Sequence, residues 1–279
     1  MLAQNHSSLQ AVAMVLQAAD GLLITAGAGM GVDSGLPDFR GSSGFWKTYP
    51  ALGDSGLQFQ DIANPQAFAR DPHQAWGFYG HRLQLYRDTQ PHAGFGILKR
   101  WASHTTHGCY VFTSNVDGHF QSAGFASQQV YECHGSIHQL QCCTPCQHTT
   151  WSANTMHPDV DTQHCLWRHD LPACPHCQAL ARPNILMFDD WNWVDTARAA
   201  NDAALEAFVG ACRQMAVIEI GAGTEVSTVR HFSERMAQTY QAPLIRINPR
   251  EHHCDLSDSI GIAMGAQAAL QALDELLPI

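Results

Sequence analysis

The chain has little charge and no long hydrophobic run. Charged residues make up 14% of its 279 residues, and the formal net charge is −10. Proteins that bind nucleic acids through their phosphates usually carry a basic surface, so nucleic acid is not expected as a partner. No 18 consecutive residues are apolar, so no membrane-spanning helix and no membrane partner are predicted.

A secretory signal is also missing from residues 1–20, because no basic segment precedes an apolar core and no small-residue cleavage site follows one. We therefore expect a cytoplasmic protein. Thiols are kept reduced in that compartment, so the ten cysteines are expected to bind metal or to stay free. The hydrophobic content of 45% is sufficient for a sizeable core.

The most informative segment is a glycine-rich loop after an apolar run. Leu22–Thr25 is predicted to be a buried strand, and Gly27, Ala28 and Gly29 follow it. Backbone N–H groups of such a loop approach a pyrophosphate closely in Rossmann-type sheets. The dehydrogenase fingerprint G-x-G-x-x-G would need glycine where the sequence has Val32. The sequence therefore predicts a dinucleotide-binding loop that differs from that of a dehydrogenase.

Apolar runs alternate with helical patterns along the chain. The main predicted strands are Leu22–Thr25, Cys109–Thr113, Ala216–Ile220 and Pro243–Asn248. Weaker strand candidates are Val130–Cys133 and Asn184–Phe188, and the predicted helices are Ala11–Ala19, Gln74–Tyr86 and Ala266–Leu277. This order predicts an α/β fold with a Rossmann-like parallel sheet and helices on both faces. Ligands then bind at the carboxyl ends of the strands, which line one crevice.

Two stretches interrupt this pattern and are predicted to form a smaller domain. Residues 42–95 are rich in aromatics and prolines, and residues 142–180 contain six of the ten cysteines. We expect a helical module from the first stretch and a zinc-ribbon module from the second. The predicted sheet domain consists of residues 1–41, 96–138 and 183–279, and the small domain of residues 42–95 and 139–182.

Two close pairs of cysteines lie in the second stretch. Cys174 and Cys177 form one pair, and Cys146 pairs with either Cys142 or Cys143. Four thiolates at such spacings are typical of a tetrahedral structural zinc site. A closed site of this kind leaves no position for a substrate, so the ion is expected to stabilise a segment with little apolar surface. Spacing alone leaves the choice between Cys142 and Cys143 open.

Five segments follow one another in an order that is typical of one enzyme family. They are residues 27–40 (GAGMGVDSGLPDFR), residues 113–117 (TSNVD), His134-Gly135, residues 182–188 (RPNILMF) and Ile247-Asn248. Together they resemble the motifs of the sirtuins, which are NAD-dependent protein deacylases. The resemblance implies a large Rossmann domain, a small zinc domain and a cleft between them. It also favours Cys142 as the first zinc ligand.

The resemblance further implies which residues contact NAD. They are Gly27, Ala28, Gly29, Asp38, Phe39, Arg40, Ser114, Asn115, Asp117, His134, Gly221, Ala222, Gly223, Asn248 and Ala266. His134 and Asn115 are the expected catalytic residues. An imidazole with a pKa of about 6.5 is largely neutral at pH 7, so His134 can remove a proton from a ribose hydroxyl. Asp117 is expected to bind the nicotinamide carboxamide, although an Asx turn that caps the next helix is the alternative.

Substrate contacts are expected from two further places. Ile185 and Phe188 belong to the segment that resembles the substrate strand. Tyr79 and Arg82 lie three residues apart, on one face of a predicted helix, and could clamp a carboxylate. This pair is similar to the Tyr-x-x-Arg pair of the sirtuins that remove succinyl and malonyl groups. The alternative is an ordinary exposed arginine beside a packed tyrosine.

The resemblance thus implies a deacylase that acts on acylated lysine side chains of proteins, transfers the acyl group to ADP-ribose and releases nicotinamide. The sequence departs from the family pattern in four places, namely Gly31, Ser114, Gly221-Ala222-Gly223 and Asp189-Asp190. These departures leave two alternatives open. One is a protein ADP-ribosyltransferase or NAD hydrolase on the same fold, and the other is a non-enzymatic module that binds NAD and zinc.

Overall fold

The fold was obtained as a computed structural model, which describes residues 2–37, 49–54 and 56–277. Its strands are β1 (Gly21–Ala26), β2 (Cys109–Thr113), β3 (Val130–Glu132), β4 (Gly135–Cys142), β5 (Trp151–Ser152), β6 (Val160–Asp161), β7 (Leu166–Trp167), β8 (Ala181–Ile185), β9 (Met215–Ile220), β10 (Leu244–Ile247) and β11 (Ser259–Ile262). Its helices are α1 (Leu2–Ala18), α2 (Gly29–Val32), α3 (Pro50–Asp54), α4 (Phe59–Ile62), α5 (Pro65–Arg70), α6 (Pro72–Asp88), α7 (Ala93–His104), α8 (His119–Ser122), α9 (Arg198–Ala211), α10 (Thr228–Tyr240) and α11 (Ala266–Asp274). A short 3₁₀ turn spans Ser127–Gln129.

A parallel sheet of six strands, in the order β11-β10-β9-β1-β2-β3, forms the centre of the larger part. Strands β1, β2, β9 and β10 are buried along their whole length, as expected for a sheet that helices cover on both faces. Alternate side chains of β1 confirm this. Leu22 and Ile24 pack into a core with residues of α1, α7 and α11, whereas Leu23 packs into a second core with residues of α9 and α10. The predicted α/β fold is therefore confirmed.

The four main predicted strands coincide with β1, β2, β9 and β10 to within one residue at each end. The weaker prediction at Asn184–Phe188 is wrong in its bounds, because β8 spans Ala181–Ile185 and pairs antiparallel with β4 in a separate sheet of three strands. Beyond β8 the chain leaves this ladder. The N–H group of Leu186 donates to the carbonyl of His134 at 2.9 Å, and that of Phe188 donates to the carbonyl of Ala63 at 2.9 Å.

The smaller part is built around α6 and the strands β4 and β8. Helix α6 starts at Pro72, after Asp71, whose carboxylate accepts a 3.0 Å hydrogen bond from the backbone N–H of Gln74. The indole N–H of Trp76 donates to the carbonyl of Ala181 at 3.0 Å, which ties α6 to β8. A single apolar cluster, with members from residues 36 to 187, surrounds this contact. The division of the chain into two domains stays a prediction.

Asp190, which belongs to one of the segments that depart from the family pattern, forms an ion pair in the smaller part. Asp190 accepts a 2.8 Å hydrogen bond from Nη2 of Arg182, and both side chains are fully buried. Removing one partner of such a pair leaves a buried charge uncompensated, at a cost of about 3–5 kcal/mol.

Within the described ranges, no helix combines the length and the apolar character that crossing a bilayer requires.

Candidate active site

Two glycine-containing loops cross at the carboxyl ends of β1 and β9. The N–H group of Gly29 donates to the carbonyl of Gly221 at 3.0 Å. A Cβ atom on Gly29 would lie 2.7 Å from the Cα of Gly221, and one on Gly27 would lie 2.8 Å from the Cα of Ala222. Gly221 itself has φ +63°, a left-handed conformation that favours glycine. These glycines therefore permit a close backbone crossing that larger residues would block.

Two cavities meet at Ala28, which lines both of them. The first has a volume of about 280 Å³ and is lined by nine of the predicted site residues: Ala28, Tyr79, Arg82, Ser114, Asn115, Asp117, His134, Ile185 and Phe188. The second has a volume of about 520 Å³ and is lined by six of them: Ala28, Gly29, Gly221, Gly223, Asn248 and Ala266. An elongated ligand could thus extend from the imidazole of His134 to the start of α11.

Other predicted NAD contacts do not line these cavities. Gly27 lies at the loop crossing, and Ala222 is buried with its carbonyl as an acceptor. Nη2 of Arg230 and Nδ2 of Asn248 each donate to that carbonyl at 3.0 Å. For both residues the structure shows a packing role in the loops. Asp38, Phe39 and Arg40 lie outside the described residues.

The segment after β2 places Ser114, Asn115 and Asp117 in the wall of the first cavity. Nδ2 of Asn115 donates to the carbonyl of Gly27 at 3.0 Å, which fixes the amide against the glycine loop. A carboxylate oxygen of Asp117 accepts a 2.9 Å hydrogen bond from the N–H group of His119, the first residue of α8. This is the helix-capping contact that the sequence offered as an alternative. Asp117 makes it and still lines the cavity.

His134 lies between β3 and β4, with its side chain in the wall of the first cavity. The next residue, Gly135, has φ +76°, and a Cβ atom there would lie 2.0 Å from the carbonyl oxygen of Asn184. A larger residue at this position would push the chain away from β8. Glycine therefore allows the histidine to sit where the two sheets meet, beside Asn115 and Asp117.

A carboxyl group with a buried oxygen atom, two residues before His134, was not predicted. Oε2 of Glu132 accepts a 3.0 Å hydrogen bond from Nε2 of Gln121, and Oε1 is buried. Burial, followed by the negative charge of Asp117, raises the pKa of Glu132 to about 8. The sequence shows only that a glutamate stands two residues before the histidine. The contact with Gln121 of α8 depends on the fold and cannot be read from the sequence.

The far wall of the first cavity carries a buried cation. Arg82 is 7% exposed, which excludes the alternative of an ordinary exposed arginine. Its Nε and Nη2 donate to the hydroxyl oxygen of Tyr86 at 3.1 and 2.7 Å. Burial raises the pKa of Tyr79 to about 12, so its phenol is neutral at pH 7. Tyr86 also lines the cavity and was not singled out from the sequence, although it lies one helical turn after Arg82.

The sulfur atoms of Cys142, Cys146, Cys174 and Cys177 all lie within 4.8 Å of one another. Two of the distances, Cys142 to Cys177 and Cys146 to Cys174, are 3.7 Å. A tetrahedron with zinc–sulfur bonds of about 2.3 Å has sulfur–sulfur edges of roughly 3.8 Å. The four thiols therefore fit one structural zinc ion. Cys143 packs instead against the apolar cluster of the small part, where burial raises its pKa to about 12.

Comparison with known proteins agrees with this arrangement. Residues 27–225, which are more than half of the chain, match the sequence profile of the Sir2 family. The chain belongs to the Sir2 family. The family membership inferred from the five sequence segments is thus confirmed. In this Sir2 protein the matched range contains nearly all residues that line the first cavity, whereas the second cavity is also lined by residues between 247 and 266.

Individual relatives and solved structures are similar to this protein over most of the chain. A protein of Aquifex aeolicus named NAD-dependent protein deacylase is 29% identical over 230 residues, which cover 82% of this chain and 84% of that protein. A solved structure of a mutant Sir2 homologue with ADP ribose has a TM-score of 0.71 at 23% identity and covers 95% of this chain and 94% of its own. A Sir2 homologue in complex with NAD has a TM-score of 0.68 at 22% identity, with coverages of 96% and 93%. At such identities the structural matches establish the Sir2 fold.

Proposed function

We propose that this Sir2 protein is an NAD-dependent protein-lysine deacylase, which transfers the acyl group to ADP-ribose and releases nicotinamide. One observation carries the proposal. A single cavity brings His134, Asn115 and Asp117 together with Arg82, and it joins a second cavity at Ala28. A nucleotide and an acyl chain can therefore meet at the imidazole.

We also propose a cytoplasmic location, supported by the reduced state that the zinc-binding thiols require.

The second cavity suits the pyrophosphate and adenosine of NAD. The loops at Gly29 and Gly223 present backbone atoms, and backbone N–H groups of such loops bind phosphate oxygens. Asn248 and Ala266 line the end where the adenosine would lie. Bound NAD supplies a ribose–nicotinamide bond that breaks readily because nicotinamide leaves as a neutral base.

His134 is the proposed general base. Its imidazole lines the first cavity, where it can remove a proton from a ribose hydroxyl of bound NAD. We expect His134→Ala to lower the rate of peptide deacylation by at least about 100-fold, the usual contribution of a positioned base. The Kd for NAD, measured by calorimetry, should change little. His169→Ala, which alters a largely exposed side chain near β7, is the control. A His134→Ala variant with normal turnover would contradict the assignment.

Acylated lysine side chains of proteins are the proposed substrates, with acidic acyl groups preferred. Arg82 and Tyr79 line the cavity, and the guanidinium can form charge-assisted hydrogen bonds with a carboxylate. Such a bond is worth about 1.5–3 kcal/mol, or roughly 10- to 100-fold in kcat/KM. We expect Arg82→Met to lower desuccinylation by this factor and deacetylation much less. Equal losses on both peptides would remove the preference.

Product analysis of the wild-type protein decides between deacylation, ADP-ribosyl transfer, NAD hydrolysis and NAD binding without reaction. Acyl-lysine peptides and NAD are incubated with the protein, and the products are identified by mass spectrometry. Acyl-ADP-ribose together with nicotinamide is the expected result. ADP-ribose attached to protein, or free ADP-ribose without acyl-ADP-ribose, would indicate a transferase or an NAD hydrolase. Binding of NAD without any nicotinamide release would indicate a non-enzymatic module.

A further inference from the structure

Tyr86 holds the guanidinium of Arg82 from the next turn of α6. Its hydroxyl oxygen accepts hydrogen bonds from Nε at 3.1 Å and from Nη2 at 2.7 Å. The two residues are four apart on a helix, so the contact is made within one rigid element. Burial raises the pKa of Tyr86, which keeps the phenol neutral at physiological pH.

Aromatic rings surround the same guanidinium. Its central carbon lies 5.2 Å from the ring centre of Phe78, 5.7 Å from that of Tyr79 and 5.3 Å from that of Tyr86. Cation–π contacts of this kind favour a desolvated cation without adding a negative charge. Hydrogen bonds and rings together fix the plane and the direction of the guanidinium at the wall of the cavity.

We propose that Tyr86 is a positioning residue for acyl selectivity, which fixes Arg82 in the orientation that meets the carboxylate of an acidic acyl group. This inference rests on the proposed deacylase function. A phenol satisfies two donors of the arginine without adding a negative charge of its own, whereas a glutamate or aspartate in the same place would add one. The guanidinium then attracts the substrate carboxylate and needs little reorganisation when that carboxylate arrives.

The test compares two substitutions that remove different parts of Tyr86. Tyr86→Phe keeps the ring and removes the acceptor oxygen, whereas Tyr86→Gln keeps an acceptor and removes the ring. For Tyr86→Phe we expect KM for a succinyl-lysine peptide to rise about 10-fold, with kcat and the KM for an acetyl-lysine peptide nearly unchanged. Tyr86→Gln should restore the succinyl KM to within about three-fold of the wild-type value.

A double-mutant cycle shows whether the effect passes through Arg82. In an Arg82→Met background, Tyr86→Phe should change the succinyl KM by less than about two-fold, because the residue it positions is gone. Tyr110→Phe is the matched control, since the Tyr110 hydroxyl donates to the carbonyl of Asn201 at 3.0 Å, outside both cavities. Circular dichroism checks the fold. If Tyr86→Phe does not fold, Arg82→Lys keeps the charge without the two-bond contact and should give the same loss of selectivity.

The outcomes separate this inference from the function on which it rests. Unchanged selectivity, equal losses on both peptides, or a gain for the succinyl peptide in Tyr86→Phe would each overturn the role of Tyr86. A wild-type protein that deacylates neither peptide would overturn the proposed function instead. Peptide Kd values, measured by calorimetry in parallel, still test Tyr86 in that case, because the same 10-fold weakening is expected for succinyl-peptide binding alone.

Discussion

Gly29→Ala tests whether the loop crossing is what allows the nucleotide to bind. The added methyl carbon would lie 2.7 Å from the Cα of Gly221 and 2.9 Å from its carbonyl oxygen. Both neighbours are backbone atoms, so no side chain can turn away to make room. The loop after β1 must therefore move relative to the loop after β9, and the 3.0 Å hydrogen bond between the two residues must lengthen.

The size of the effect follows from this contact. Overpacking of a closely packed site costs about 1–3 kcal/mol, so we expect the free energy of unfolding to fall by that amount. The displaced loop also loses its alignment with the second cavity, and the Kd for NAD should rise at least about 10-fold, which corresponds to about 1.4 kcal/mol. Urea unfolding measures the first quantity and calorimetry the second.

Gly96→Ala is the matched control. Gly96 is an exposed position inside α7, and a Cβ atom there would meet no other atom within 4 Å. Alanine is favoured over glycine in helix interiors by about 1 kcal/mol, so this variant should be slightly more stable and should bind NAD normally. If Gly29→Ala unfolds and binds NAD like the wild type, the loops have room to spare and the reasoning is refuted.

Two further predictions concern the metal and the pH. Cys142→Ser should lose the zinc ion and lower the melting temperature, whereas Cys143→Ser should retain one zinc per chain, as measured by elemental analysis; equal zinc in both variants would contradict the four-thiol site. Since the folded-state pKa of Glu132, about 8, lies above its ordinary value of 4.5, the folded state binds an extra proton and stability falls as the pH rises between these values. The slope is about 1.4 kcal/mol per pH unit, and Glu132→Gln should remove it in urea unfolding between pH 5 and pH 8; an unchanged slope would show that Glu132 is not its source.

The central strands could be predicted because parallel strands covered on both faces are continuous apolar runs. β4 escaped prediction, since it mixes apolar residues with Ser136, His138 and Gln141, and only Ile137 and Leu140 of this strand join the apolar cluster. β11 also escaped it. That strand is short, contains Gly261 and lies at the edge of the sheet, where the sequence pattern is weakest.

The choice between Cys142 and Cys143 shows what spacing cannot decide. Both cysteines reach Cys146 across a short turn, so either is compatible with a zinc site. Neighbouring residues at the end of a strand point to opposite faces. Cys142 therefore turns toward the other three thiols, and Cys143 turns toward the apolar cluster. The orientation of the two side chains at the end of β4 therefore separates the zinc ligand from its neighbour, which spacing cannot do.

The candidate site was predicted where motifs mark it and missed where packing creates it. The segments around Asn115 and His134 carry recognisable patterns, and both side chains line the cavity, although their catalytic roles stay predictions. The contacts of Arg82 with Tyr86 depend on how α6 is buried. The carbonyl of Ala222 accepts hydrogen bonds from Arg230 and Asn248, and the contact of Ala222 with NAD stays a prediction.

Strand β4, whose pairing with β8 shifts register between Ser136 and Leu140, links the neighbour of His134 to the first of the four clustered thiols. It runs from Gly135 to Cys142, a span of roughly 20–25 Å for an extended chain. An ion at that distance is too remote to polarise the reacting atoms. It can still act on the site through the backbone, because β4 pairs with β8 at both Gly135 and Cys142, and loosening the pairing at Cys142 weakens the sheet that holds Gly135. Metal loss should therefore reduce turnover through misalignment of the imidazole while leaving the optimum pH where it was.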